Sequence, residues 1–388
     1  MPHIKVKSFD TILLDVLVDE SSIFEFRAIA DVGDGEILGV RYEDEAFLLE
    51  IKKKNDGYLI KPDTVSRPLD VNKIKKVLAL LIVEARLEVL HSNITLSPYK
   101  PPLAKEANKK IRDFENPEFN RDKVAIEVGF GSGRHLLYQA KNNPDTLYIG
   151  IEIHTPSAQQ VLKQIELQGI ENIWIVNYDA RLLLEMMPSN SCTSIFVHFP
   201  VPWDKKPHRR VISSRFLDES LRVLVVDGEL ELRTDSDRYY IYALETFSAH
   251  PKISFTVEKN FDLSVISKYE DRWRAQEKDI YTVTVRCKLV SEELKKEYDF
   301  SFNDKVSKLV ELPKEAIVKK DFFIHFERRY EIPGSESAIV KCAFGSFDKP
   351  EHKYLYFKDQ KLGYYPQNPV QTEPNHRAHQ HIGEIVNG

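Results

Sequence analysis

Hydrophobic and polar positions change their period three times along this 388-residue chain, and each change predicts a different architecture. Near the N-terminus Phe24, Phe26 and Ala28 alternate with Glu25 and Arg27, and Phe47, Leu49 and Ile51 repeat the alternation. A period of two places one face of a strand on a core and the other in water. Gly33-Asp34-Gly35 and Asn55-Asp56-Gly57 are turn signals between such strands. Residues 1–62 therefore read as short strands of a small antiparallel β module. From Val71 to Leu90 the period lengthens. Ile74, Val77, Leu78, Leu81 and Ala85 fall on one stripe of an amphipathic helix, with Lys73, Lys75 and Lys76 on its solvated side. Ser97-Pro98-Tyr99-Lys100-Pro101-Pro102 breaks both helix and strand and predicts a linker, closing a first domain at residues 1–97.

Between residues 103 and 289 short apolar runs alternate with helical stripes. Strands are predicted at 124–128, 147–153, 173–178, 194–199, 229–234, 254–259 and 280–287, and helices at 134–142, 156–168, 181–187, 213–225 and 237–249. This alternation predicts an α/β domain, a mainly parallel sheet with helices on both faces. The last stretch leaves no room for a crossover helix in its usual place and predicts an antiparallel hairpin at the sheet edge.

Period two returns over residues 290–364. Phe322, Ile324, Phe326, Arg328 and Tyr330 alternate with Phe323, His325, Glu327 and Arg329, and further strands are predicted at 338–344 and 353–358. The reading is a second small β-rich module. Residues 365–388 are rich in Pro, Asn, Gln and His, which predicts a disordered tail. His376, His379 and His381 have a spacing a metal could use, but a polar tail accounts for them and no metal is expected.

The chemistry concentrates between Lys123 and Asp179. The strand Val124–Val128 runs into Gly129-Phe130-Gly131-Ser132-Gly133, then into a helical pattern. A second strand ends beside Glu152 and a third ends on Asp179. Strand, glycine-rich turn, helix, strand, acid is the logic of a nucleotide-type site, in which glycines admit a ligand close to the backbone and the acid accepts from a ribose diol. The spacing is G-x-G-x-G, and Glu127 lies two residues before the first glycine. A carboxylate there repels a pyrophosphate and suits a cation. S-adenosyl-L-methionine carries an ammonium and a sulfonium and no phosphate, so the pattern favours it over a dinucleotide. Glu127, Gly129, Gly131, Gly133, Glu152 and Asp179 are the expected cofactor-binding residues.

Composition narrows the partners. Charged residues make up 30% of the chain but the net charge is −5, so a nucleic acid must find a local basic patch. Such a patch follows the fourth strand, in Phe199-Pro200-Val201-Pro202-Trp203-Asp204-Lys205-Lys206-Pro207-His208-Arg209-Arg210. An aromatic ring beside dense positive charge is how RNA outside a regular duplex is held. The three cysteines are widely spaced, which excludes a C-x-x-C zinc site and suggests buried free thiols in a reducing compartment. The apolar run Ile12–Val18 is short and broken by Asp15, so no signal peptide is expected. No apolar run approaches the ~18 residues of a membrane span. A cytoplasmic protein with no membrane partner is expected, with monomer and homodimer both open.

At these motifs the chain resembles the bacterial tRNA (guanine-N7)-methyltransferases. The resemblance rests on Glu127–Gly133, Gly150-Ile151-Glu152-Ile153-His154, Asn177-Tyr178-Asp179-Ala180, the Phe199–Arg210 stretch, Thr234-Asp235, and Ser267-Lys268-Tyr269-Glu270. It covers residues 123–288 and leaves the flanking modules as extensions of a long form. It implies a class I, Rossmann-like methyltransferase fold, S-adenosyl-L-methionine as donor and tRNA as substrate, with N7 of the guanine at variable-loop position 46 as acceptor. Carried over, Lys205, Asp235, Ser267 and Glu270 contact substrate; the patch adds Arg209 and Arg210. The family's Phe-Pro-Asp-Pro-Trp reads Phe199-Pro200-Val201-Pro202-Trp203 here, so its acid is missing. Asp235, at the end of the next strand, is expected to take over as the catalytic carboxylate. The substitution keeps two other readings open: a tRNA-binding member with weakened or lost catalysis, and a methyltransferase acting on another RNA.

Overall fold

The computed structural model describes residues 1–66, 69–95, 104–262, 276–294, 297–302 and 312–387. The chain divides into two units: Met1–Lys100 with Asp299–Pro369 and Glu373–Gly388, and Pro101–Tyr298 with Val370–Thr372. The predicted linker at 97–102 lies outside the described residues.

The N-terminal part of the first unit contains β1 (Ile4–Val6), α1 (Thr11–Glu20), β2 (Phe24–Ala30), β3 (Glu36–Tyr42), β4 (Glu45–Lys54), β5 (Gly57–Pro62), α2 (Val71–Glu84) and β6 (Val89–Ser92). Helix α1 corrects the expectation of strands alone over residues 1–62. Its N-cap is Asp10, which accepts from the Ile12 N–H at 2.9 Å, and Leu14 enters the core. Helix α2 buries the expected stripe of Ile74, Val77, Leu78 and Leu81. It stops at Glu84, short of Leu90, because Arg86 turns left-handed at φ 49°.

The second unit carries β7 (Asn108–Lys109), β8 (Lys123–Val128), α3 (Arg134–Asn142), β9 (Thr146–Ile151), α4 (Thr155–Gln168), β10 (Ile173–Val176), α5 (Ala180–Met186), β11 (Cys192–His198), α6 (Ser214–Val223), β12 (Leu224–Thr234), α7 (Asp237–Ser248), β13 (Phe255–Lys259) and β14 (Tyr281–Arg286). Its sheet runs β13-β14-β12-β11-β8-β9-β10-β7. Strands β7 to β12 pair in parallel, and β14 is antiparallel to both β12 and β13. The order reverses between β8 and β11, which opens a ligand crevice at the C-terminal ends of those strands. Residues of β8 alternate between two cores. Val124, Ile126 and Val128 pack with α5, α6 and α7, while Ala125 packs with α3 and α4.

The C-terminal part adds β15 (Ile317–Val318), β16 (Phe323–Glu331), β17 (Ala338–Gly345), β18 (Glu351–Lys358), β19 (Lys361–Tyr365) and α8 (Glu373–Asn387). It does not form a module of its own. Strand β16 pairs with β2 through Tyr330↔Ala30 and Glu331↔Ile29, giving one eleven-stranded sheet with the N-terminal strands. Phe26, Ala28, Ile37 and Leu48 share a core with Tyr330, Ile339, Tyr354 and Tyr365, so each half supplies part of the apolar cover of the other. The Tyr365 hydroxyl donates to Glu25 Oε2 at 2.8 Å within this core. The expected disordered tail is also corrected. Ala378, Ile382 and Val386 recur every fourth residue and are buried on one face of α8. The histidines there have separate partners: His379 Nδ1 lies 3.2 Å from the Tyr364 hydroxyl, and His381 Nδ1 2.7 Å from Glu384.

Candidate active site

The glycine loop leaves β8 with Gly129, Gly131 and Gly133 all left-handed, at φ 69°, 53° and 71°. At Gly133 a Cβ would meet Val161 Cγ2 at 2.4 Å, so α3 starts close against α4 only because the residue lacks a side chain. At Gly129 a Cβ would meet nothing within 4 Å. Glu152, at the end of β9, braces this loop. Its Oε2 accepts from the Gly131 N–H at 3.0 Å and its Oε1 from the His154 N–H at 2.9 Å. Asn177 Nδ2 donates to the Glu152 carbonyl at 2.6 Å, tying the ends of β9 and β10 together. Asp179 caps α5 and accepts from Arg181 Nε at 3.0 Å and Nη2 at 2.8 Å, so its carboxylate is engaged by a neighbouring guanidinium.

Glu127 is buried beneath the loop, and its Oε2 lies 2.8 Å from His135 Nδ1 on α3. The His135 ring is 4.6 Å from that of His198, whose Nε2 lies 2.7 Å from Glu231 Oε1. Burial disfavours the imidazolium of His135, but the Glu127 carboxylate outweighs it and raises the pKa. Burial likewise opposes the charge on Glu231, yet the hydrogen bond from His198 and the Arg233 cation lower its pKa. Glu127 was expected at the site, but its partners His135, His198, Glu231 and Arg233 were missed in the sequence. The signal is uneven: Glu127 interrupts an otherwise apolar strand, whereas Glu231 and Arg233 sit in a strand where charged and apolar residues alternate.

The basic loop begins where β11 ends. Phe199 and Trp203 are left-handed at φ 50° and 46°, strained conformations for bulky residues. Lys205, Lys206, His208 and Arg209 are exposed, and the Arg209 guanidinium lies 5.1 Å from the centre of the Trp203 ring. Arg210 differs, being only 8% exposed. Its Nε donates to the Pro202 carbonyl at 2.8 Å, Asp204 lies 3.5 Å away, and its guanidinium stands 4.5 Å from the Tyr242 ring and 5.4 Å from Tyr239. Arg210 is thus engaged within the protein, unlike its exposed neighbours Lys205 and Arg209. The loop's own amides reach the Trp203, Lys206 and Pro207 carbonyls, and the Arg210 guanidinium serves the Pro202 carbonyl from between the loop and α7. Val201 is 60% exposed.

Asp235 follows β12 at the crevice. Its Oδ2 accepts from Lys278 Nζ at 2.7 Å, with the two side chains 18% and 39% exposed. A few residues along the chain from each, Tyr240 of α7 and Tyr281 of β14 stack, centroids 4.2 Å apart and planes 8° from parallel. Ser267 and Glu270 lie outside the described residues. Lys278 was missed, because only the fold brings it to Asp235, 43 residues earlier.

The strand order, with an antiparallel β14 inserted beside β12, and a glycine loop braced by the β9 acid define a class I methyltransferase. The family model of a putative methyltransferase matches residues 121–283. The chain is 40% identical over 353 residues to the tRNA (guanine-N(7)-)-methyltransferase of Wolinella succinogenes, covering 90% of each protein. It is 39% identical over 396 residues to that of Campylobacter jejuni, covering all of this chain and 98% of the relative. Among solved structures, the aminoglycoside resistance methyltransferase NpmB1 aligns at 18% identity and TM-score 0.35, over 45% of this chain and 90% of its own. The chain belongs to the tRNA (guanine-N(7)-)-methyltransferase family. The match to these relatives spans both units, so the flanking strands are part of a shared long form.

Proposed function

We propose that this protein transfers the methyl group of S-adenosyl-L-methionine to N7 of the guanine at variable-loop position 46 of tRNA. The observation that carries the reading is the near-full-length match to tRNA (guanine-N(7)-)-methyltransferases. The crevice supports it, with a braced glycine loop on one side and Asp235 on the other. The donor fits the residues present. The Glu152 carboxylate spends two acceptor positions on backbone amides and has lone pairs left for a ribose diol, and Gly129 leaves the loop open. When bound, S-adenosylmethionine supplies an electrophilic methyl carbon on a sulfonium.

The chain's own groups have a limited task. Guanine N7 carries an in-plane lone pair and no proton, so attack needs no general base. A bound donor would give up its methyl group as the N7–C bond formed, its sulfur keeping the C–S electron pair, and the purine would take on positive charge. What the protein contributes is alignment and exclusion of water. Asp235 accepts from guanine N1–H and the exocyclic amine and offsets the developing charge, which replaces the acid absent at Val201. Glu127, paired with His135, adds negative charge below the loop. Lys205 and Arg209 meet phosphates. Arg210 holds their loop in place rather than touching RNA.

The test incubates the protein with unmodified tRNA and labelled S-adenosylmethionine, followed by digestion to nucleosides. Labelled 7-methylguanosine is the expected product. Absence of label, with tRNA binding intact, would instead identify a binding protein, and label in another nucleoside would identify a different methyltransferase.

A further inference from the structure

We propose that Lys278 reads the O6 atom of the target guanine and, with Asp235, sets the base specificity of the reaction. The inference rests on the reading of Asp235 as the base anchor. The Watson–Crick edge of guanine presents two donors, N1–H and the C2 amine, beside one acceptor, O6. Asp235 and Lys278 present the complement, a carboxylate with an ammonium 2.7 Å from it. The carboxylate has about four acceptor positions, so the bond from Lys278 leaves room for both guanine donors. The ammonium has three donors and reaches O6 from the N1 side, leaving N7 clear. Adenine offers an acceptor at N1 and a donor at C6, which would set like against like on both protein groups.

The pair is built into the fold. Thr234, just before Asp235, is the register partner of Tyr281, three residues after Lys278. Tyr240 of α7 stacks on Tyr281, which fixes the segment after the acid to the segment after the amine. A half-exposed ion pair contributes little to stability. At the C-terminal end of a parallel strand, in the crevice where this fold class holds its ligands, its geometry serves recognition.

The experiment uses the full chain and three tRNAs carrying guanosine, inosine or 2,6-diaminopurine at the target position. Inosine keeps N1–H and O6; diaminopurine loses both. Lys278→Met is expected to lower kcat/KM about 10–100-fold on guanosine and inosine alike, the scale of one specific base contact, while the already slow diaminopurine substrate changes little. Lys278→Gln, whose amide still donates, is expected to recover part of the loss. Melting temperature and S-adenosylmethionine affinity check folding, and Lys278→Gln carries the same comparison should Lys278→Met unfold. An equal loss on all three tRNAs, or no loss on guanosine, overturns the proposal while leaving the proposed function standing. A wild-type chain that makes no 7-methylguanosine defeats the proposed function and this inference together.

Discussion

Glu152→Ala is the substitution through which the cofactor site is most open to measurement. The side chain is nine-tenths buried, and its two oxygens each hold a backbone amide, Gly131 at 3.0 Å and His154 at 2.9 Å. Alanine removes the proposed acceptor for the ribose diol and releases the glycine loop. Loss of a charged hydrogen-bond acceptor is worth about 1–3 kcal/mol, or about 5–150-fold in Kd. Calorimetric titration with S-adenosylmethionine reads that loss directly. Hydrogen exchange at the Gly131 amide reads the second effect, and it should speed up even without ligand. Glu152→Gln should fall between, since an amide oxygen still accepts but its nitrogen faces one backbone N–H as a second donor. Unchanged affinity in Glu152→Ala would remove this residue from the cofactor site. Unchanged Gly131 exchange would show that the loop holds its shape without the brace.

Other outcomes follow from the same geometry. Neutralising Lys205 and Arg209 should weaken tRNA binding and flatten its salt slope by about 0.7–0.9 for each cation that meets a phosphate, with cofactor affinity intact; an unchanged slope in filter binding would leave these residues as a solvated face. Arg210→Ala should act differently, lowering the melting temperature and disordering the Pro202 loop before any electrostatic effect on RNA appears. In single-turnover assays Asp235→Ala should raise the methyl-transfer barrier by about 2–4 kcal/mol, and Val201→Asp should leave the rate within about tenfold of wild type; near-normal turnover by Asp235→Ala would sink the idea that it compensates for Val201. His135 has a folded pKa above its unfolded value of about 6.5, so its stabilisation is fully present below about pH 6.5 and is lost as pH rises through the folded value. The melting-temperature gap between wild type and His135→Phe should therefore narrow on going to alkaline pH, and a gap that widens would refute the charged pair.

The sequence made the second unit legible because each strand and helix there is a local pattern with its own punctuation. Gly129, Gly131 and Gly133 mark one boundary, Gly169 ends α4, and Asp179 and Ser236 cap helices. The pairing of β2 with β16 was not legible, since about 300 residues separate partners that meet through only two register positions. Helix α8 was hidden by composition: Pro, Asn, Gln and His dominate a stretch in which Ala378, Ile382 and Val386 carry the apolar stripe. In the site, strand-end acids were readable from spacing because a parallel strand delivers its C-terminal residue to the crevice. Charge counting could not distinguish Arg210 from Arg209, because their difference lies in the tyrosines of α7. The pairing of Lys278 with Asp235 emerged only once β14 was seen to insert beside β12.

Methylation of one guanine N7 in tRNA, proposed to proceed in a crevice anchored by Asp235, can be mapped to a single nucleotide. A 7-methylguanosine becomes a point of strand scission after borohydride reduction and aniline treatment, so the modified position can be located on a gel. With unmodified tRNA, S-adenosylmethionine and the wild-type chain, scission is expected at variable-loop position 46 and nowhere else. Asp235→Ala, under the same conditions and time, should give almost none. Scission at another guanine, no scission with wild type, or full scission with Asp235→Ala would contradict this mechanism.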